Sequence, residues 1–291
     1  MTERWKVLAL TSLSIIPTVP LASQTVDSLA LRFAAMTAVT GYEQAMTDSL
    51  LALLPGSTRD RAGNVTVTLG RGAPKRLVAC PLDEIGYVVG NVQDDGYLLL
   101  RRVGGGPRLA YALFDQQLEG HRVTVFGRNG AVPGVVGVRS THLTRGRPAT
   151  NDPPFTVDNA YVDIGAASAA EVHAAGIGLL APVMLTKTPL LYGERLLAAP
   201  VAGRRAACAA VVAVLLGKPR VRGTVVVAFT VQSLYAVNAG LSSVKVLQGP
   251  FDEAREVALP VRFADTAVET VALTAADSLA RALTQWLGGP R

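Results

Sequence analysis

The run Gly223-Thr-Val-Val-Val-Ala-Phe-Thr230 is apolar and β-branched without a polar alternation. A strand of that kind is buried on both faces. It needs a helical layer above and below, so it predicts an α/β domain. The flanking sequence supplies the layers. Arg204 to Leu216 is an alanine-rich helical stretch stopped by Gly217. Earlier, Leu29, Leu31, Phe33 and Met36 mark an amphipathic helix from Val26 that ends at Gly41. A second helix runs from Glu43 to Leu54 and stops at Pro55-Gly56. Asn64-Val-Thr-Val-Thr alternates with period two, and Arg76-Leu-Val-Ala-Cys80 is a short apolar run, so both read as strands. Thr274-Ala-Ala-Asp277 resembles a capping box for a last helix through Trp286.

Between residues 88 and 187 the texture changes. Short strands at Gly96–Leu100, His121–Val125, Val132–Val138, Ala160–Ile164 and Pro182–Leu185 are separated by Gly, Pro, Asn and Asp. Even spacing with turn chemistry predicts a small β-barrel inserted into the α/β domain, which then comprises residues 24–87 plus 188–291. Asp94-Asp95 before Gly96 reads as hairpin chemistry. Gly104-Gly-Gly106 precedes Pro107-Arg108 and no Lys-Ser/Thr helix, so it reads as a barrel turn and not a phosphate loop.

Residues 1–23 carry a charged start, the apolar run Val7–Ala22 and small residues before a polar stretch. That order predicts a cleaved signal peptide, with cleavage near Ser23 and export as the consequence. Pro17 and Pro20 interrupt the run, which falls short of the roughly 20 apolar residues of a spanning helix. No cysteine is placed for a lipid anchor, so no membrane anchor is expected. The 28 basic and 22 acidic residues give a net charge of +6, but the arginines are scattered. With no basic run or interleaved aromatics, nucleic-acid binding is not expected.

The order Thr40-Gly-Tyr-Glu43, Ala62-Gly-Asn64, Asp83-Glu-Ile-Gly-Tyr-Val-Val89, Asp94-Asp-Gly-Tyr97, Arg102-Val-Gly-Gly105 resembles the glutamyl aminopeptidase family, the dizinc peptidases that build tetrahedral (TET) particles. Leu118–Val125, Val132–Gly137, Tyr161–Ala166, Leu259–Phe263 and Val268-Glu269 continue the match. The resemblance implies a zinc-peptidase-like α/β/α domain, here shortened, with an inserted β-barrel that mediates assembly. It also implies two metals roughly 3.5–4 Å apart that activate a bridging water, and a glutamate to take its proton.

By that resemblance the first metal histidine falls on Pro81 and its orienting aspartate is Asp83, followed by Glu84. The bridging aspartate falls on Gly203, beside Arg204 and Arg205, whose fixed charge opposes a dication. The base and ligand glutamates fall on Ser233 and Leu234, and the late histidine on Asp265. Only 18 residues separate Gly240 from Leu259, where the family carries several times that, including another metal aspartate. The three histidines, His121 in a strand, His142 in a loop and His173 in a helix, lie in the barrel segment and read as surface or hydrogen-bonding groups. Ser233 has no nucleophile elbow around it, so it is not read as a nucleophile. Cys80 and Cys208 neighbour the lost centre. They read as two buried thiols, with a disulfide between the elements that metal once joined as the other option.

The expectation is an exported pseudo-peptidase that binds no cofactor and acts through assembly, with itself or an active relative, or through ligand binding. The alternative is an active metallo-aminopeptidase in which Asp83, Glu84 and Asp265 hold zinc or cobalt and peptides are the substrates.

Overall fold

The computed structural model describes residues 25–106, 111–138, 155–235 and 238–289. Residues 1–23, read from sequence as a signal peptide, and His142 lie outside them.

Helix α1 (Val26–Ala35) is capped by the Thr25 hydroxyl, which accepts the Ser28 N–H, and it buries Leu29, Ala30, Phe33 and Ala34. The expected run to Gly41 is corrected here, because the helix stops six residues short. The Ala38 N–H is drawn to the Glu84 carboxylate at 2.7 Å, and the Thr40 N–H donates to the Glu84 carbonyl at 3.0 Å. Backbone donors committed to a distant strand end cannot continue a helical ladder. Helix α2 (Gln44–Leu53) follows.

Strands β1 (Thr58–Arg59), β2 (Val65–Gly70) and β3 (Lys75–Pro81) lead into the barrel. The barrel contains β4 (Gly86–Val92), β5 (Leu98–Val103), helix α3 (Tyr111–Gln116), β6 (Arg122–Gly127), β7 (Gly130–Val136), β8 (Tyr161–Asp163), helix α4 (Ala169–Ala174) and β9 (Pro182–Leu185). Its strands close in the order β4-β5-β8-β7-β6-β9, all antiparallel, around Tyr87, Leu98, Leu100, Val123, Val125 and Val162. Gly96 turns the first hairpin at φ 88°. His121 stands one residue before β6, a small correction to its strand placement, and its Nδ1 faces the Glu119 carbonyl. His173 is on α4, with Nδ1 3.1 Å from the Ile177 carbonyl.

The chain returns through β10 (Leu190–Tyr192), β11 (Leu196–Ala198), helix α5 (Ala202–Leu216), β12 (Thr224–Thr230), helix α6 (Ala239–Gln248), β13 (Glu253–Glu256), β14 (Thr270–Ala272) and helix α7 (Leu273–Gly288). The main sheet has the order β1-β2-β12-β3-β13. Strand β12 runs antiparallel to β2 and parallel to β3. Val225, Val227 and Phe229 pack into the core with α1, α5 and α7, while Val226 and Ala228 pack with Val244 of α6. One strand thus feeds both layers, as its unbroken β-branched run demands. The shortened sheet ends at β13, whose Glu-Ala-Arg-Glu sequence puts charge on the open edge and blunts pairing with another chain.

Two further expectations are corrected. Helix α7 follows β14 directly, so its cap position is Ala272 and no side chain caps it; Thr274 lies inside the helix. Cys80 and Cys208 are not thiols but a disulfide joining β3 to α5, with Cα atoms 5.7 Å apart and positions 128 apart in sequence. A cross-link over so long a loop removes much denatured-state freedom. Cys208→Ser is expected to lower the unfolding free energy by about 2–5 kcal/mol in urea titrations, and thiol titration of the unreduced, unfolded parent to find no reactive sulfur.

Candidate functional site

Strand β3 ends on Pro81, registered by its parallel neighbour opposite Thr230, and the Leu82 N–H donates to the Thr230 carbonyl at 2.8 Å. The chain then delivers Asp83 and Glu84, both fully buried, to the junction of sheet and barrel. The N-terminus of α5 brings Gly203, Arg204 and Arg205 against them, while the segment after β12 brings Ser233 and Leu234.

Every oxygen of Asp83 is engaged. Oδ2 accepts from Thr40 Oγ1 at 2.8 Å and from the Leu234 N–H at 2.9 Å, and Oδ1 accepts from the Ser233 hydroxyl. The Arg204 guanidinium donates to the Asp83 carbonyl at 3.1 Å and to Ser233 Oγ at 2.9 Å, and lies 3.6 Å from Asp83 Oδ1. Asp83, read from sequence as an orienter with nothing to orient, is therefore the centre of a closed network. The Ser233 hydroxyl is held between acid and guanidinium, and among the described residues no histidine is hydrogen-bonded to it, so it lacks the Ser-His pairing of an activated nucleophile.

Glu84 forms a second knot. Lys187 Nζ donates to both its oxygens at 2.6 Å, and Arg205 lies 3.0 Å from Oε1. Burial works against the Glu84 charge, yet Lys187 and Arg205 overcome it and hold the carboxyl below its ordinary range. Burial likewise pulls Lys187 down to about 8, against the attraction of Glu84. Arg205 also donates to the Leu82 carbonyl.

Arg204, Leu234, Asp265, Glu269 and Glu84 line a small cavity of about 80 Å³ walled by Tyr87, Met184 and Pro200. Glu269 accepts the Gly203 N–H at 2.9 Å and the Asp265 N–H at 3.3 Å. Burial raises its pKa, with the Asp265 charge adding to the rise. Val201 and Asp265 on the cavity wall have φ of 48° and 60°. The β-branched Val201 is the more costly of the two, since left-handed backbone crowds its side chain.

The structure therefore gathers Asp83, Glu84, Gly203, Ser233, Leu234 and Asp265 around one junction. The histidines on described residues stay out of it. Sequence reasoning missed Lys187 and gave no role to Glu269, whose only signal was its place in the motif Val268-Glu269.

The M42 glutamyl aminopeptidase family profile matches residues 63–233. Among related sequences, the Escherichia coli K12 protein SgcX is 31% identical over 184 residues, 61% of this chain and 47% of that protein. The lysyl aminopeptidase of Pyrococcus furiosus is 31% identical over 154 residues, 50% of this chain and 42% of that protein. The matched stretch thus spans about half the length of these relatives. The TET1 peptidase of Pyrococcus horikoshii superposes with a TM-score of 0.75 at 17% identity, covering 91% of this chain and all of that one. An aminopeptidase of Desulfurococcus kamchatkensis gives 0.74 at 16%, covering 91% and 95%.

The donors here do not fit a pair of zinc or cobalt ions. Among the described residues no three His, Cys, Asp or Glu side chains are grouped to hold a metal ion. The oxygens of Asp83 and Glu84 are already taken, and a guanidinium stands where a dication would be repelled. Position 203 is closed as well, because a Cβ there would meet Val261 Cγ1 at 2.5 Å.

Gly203→Asp is accordingly expected to lower stability by about 1–3 kcal/mol through overpacking, with no rise in melting temperature on adding zinc. Glu84→Gln leaves Lys187 and Arg205 facing an amide and is expected to cost about 3–5 kcal/mol in guanidinium titrations. Because the folded pKa of Glu84 lies below its ordinary 4.5, its contribution is complete above that pH and is lost as pH falls through the folded value. E84Q should therefore show a flatter acid limb of stability against pH than the parent.

Proposed function

Because the chain belongs to the M42 glutamyl aminopeptidase family, we propose that it is an exported, catalytically inactive member that acts through assembly or ligand binding. The observation that carries this reading is Arg204, whose guanidinium is bonded to the carbonyl of Asp83 and to Ser233. A fixed cation in that place does what a resident metal's charge would do for the buried aspartate, but it offers no open coordination position and no activated water. By the family resemblance, Ser233 and Leu234 fall at the positions of base and ligand, which leaves proton transfer without its acceptor in this reading.

Export is supported by the amino-terminal pattern together with the Cys80–Cys208 disulfide, since such bonds persist in oxidising compartments. Assembly is supported by the intact barrel and its exposed apolar side chains, Val135, Val138 and the edge-to-face pair Tyr97 and Tyr161 at 6.4 Å. The Pyrococcus horikoshii TET1 peptidase is described as assembling into a tetrahedron or a large octahedral shell. A second copy of this chain or an active relative is the partner class this barrel suggests.

Residues 24–291, incubated with excess zinc or cobalt and desalted, are expected to retain less than about 0.1 metal ion per chain by elemental mass spectrometry. They are also expected to release no product from leucyl-, lysyl- or glutamyl-p-nitroanilide. One or two retained ions with chelator-sensitive release would establish the active metallo-aminopeptidase instead, with Asp83, Glu84 and Asp265 as the first residues to replace.

A further inference from the structure

A second cleft, of about 490 Å³, opens between the start of α2, the end of β12 and the barrel. Tyr42, Glu43, Val231, Gln232, Phe126 and Pro182 are among its walls, and it shares no lining residue with the Arg204 cavity. Glu43 is 4% exposed. Its Oε1 accepts the Gly41 N–H at 3.0 Å and the Gln232 N–H at 2.8 Å, while Oε2 accepts from no other residue among the described ones.

Both donors come from unusual backbone. Gly41 has φ 86°, and Tyr235 Oη sits 2.9 Å from where a Cβ would stand, so only glycine fits there. Gln232 has φ 53°. Strained backbone thus fixes one carboxyl oxygen of a residue that lines the cleft and leaves the other without a hydrogen bond from another described residue. Among the described residues no lysine, arginine or histidine is ion-paired to Glu43. Arg59, which also lines the cleft, is already bonded to Thr47 at 2.9 Å and paired with Asp48. Burial raises the Glu43 pKa, and the charge of Asp83 adds to the rise.

We infer that this cleft binds the ammonium group of a small aliphatic amine, with Glu43 Oε2 as acceptor and counter-ion. An ammonium supplies the missing positive charge and three donors. The apolar walls of Phe126, Pro182 and Val231 suit an aliphatic group beside it. The site needs no metal, so it is tested with chelator present, and its failure is separate from any failure of the pseudo-peptidase reading.

The test is an amide-resolved NMR titration of the full chain in EDTA with L-leucinamide, against N-acetyl-L-leucinamide, which has the same side chain and no charge. Saturable shifts at the Gly41 and Gln232 amides are expected for leucinamide, with the acetylated compound at least about tenfold weaker. Glu43→Gln keeps the size and the acceptor for Gly41 and Gln232 and should weaken leucinamide by at least about tenfold. No saturable shift, equal binding of the two compounds, or undiminished binding to E43Q would overturn the inference. The comparison of the two compounds on the parent protein decides it even where the variant does not fold.

Discussion

Glu84 is where the two lobes are tied. It lies just before the first barrel strand, and Lys187 lies just after the last, so the chain's exit from the α/β domain and its return run side by side through one buried ion pair. Lys187 also donates to the Met36 carbonyl at 2.8 Å, Glu84 takes the Ala38 N–H, and Arg205 brings in the start of α5. A buried pair of this kind gains little net stability over an apolar substitute, because desolvation offsets the attraction. What it fixes is geometry: the barrel cannot shift against the sheet without exposing an unpaired charge to a dry interior. The Asp83 network and the Glu43 cleft both hang from the segments that Glu84 anchors.

Much of the fold was legible because its signals are periodic and local. The unbroken run of β12 announced a strand with two covered faces, and the evenly spaced strands between two α/β stretches announced the barrel. The failures were places where a distant partner overrode a local pattern. Residues 36–41 look helical by spacing, but their backbone is claimed by Glu84 across the fold. Thr274-Ala-Ala-Asp277 has the letters of a capping box, yet the helix grows straight out of β14 and starts before it. The disulfide was open in the chain order as one of two options, since its ends lie 128 positions apart and only the three-dimensional approach of β3 to α5 selects it over two thiols.

The site was half legible. Resemblance placed Asp83, Gly203, Ser233, Leu234 and Asp265 at one centre, and the structure collects them there. It could not say which groups hold the buried carboxylates there. Arg204 reads as a helix-start arginine and Lys187 as the polar end of a strand, and nothing in either neighbourhood reveals that both reach buried carboxylates. Glu43 was visible as part of a motif, but its role depends on the left-handed backbone of Gln232, nearly two hundred residues away.

The disulfide also changes the chain's connectivity. Cys80 and Cys208 bracket the whole barrel, from Gly86 to Leu185, so the inserted lobe is a covalent loop closed at its neck. The α/β domain is then continuous through sulfur even where it is interrupted in sequence. A protease cutting any barrel loop would leave one molecule of unchanged mass in the absence of reductant, apart from the water added. Mechanical tension applied at the two termini would pass through the cystine and bypass the barrel, leaving that lobe unloaded while the sheet around it bears the force.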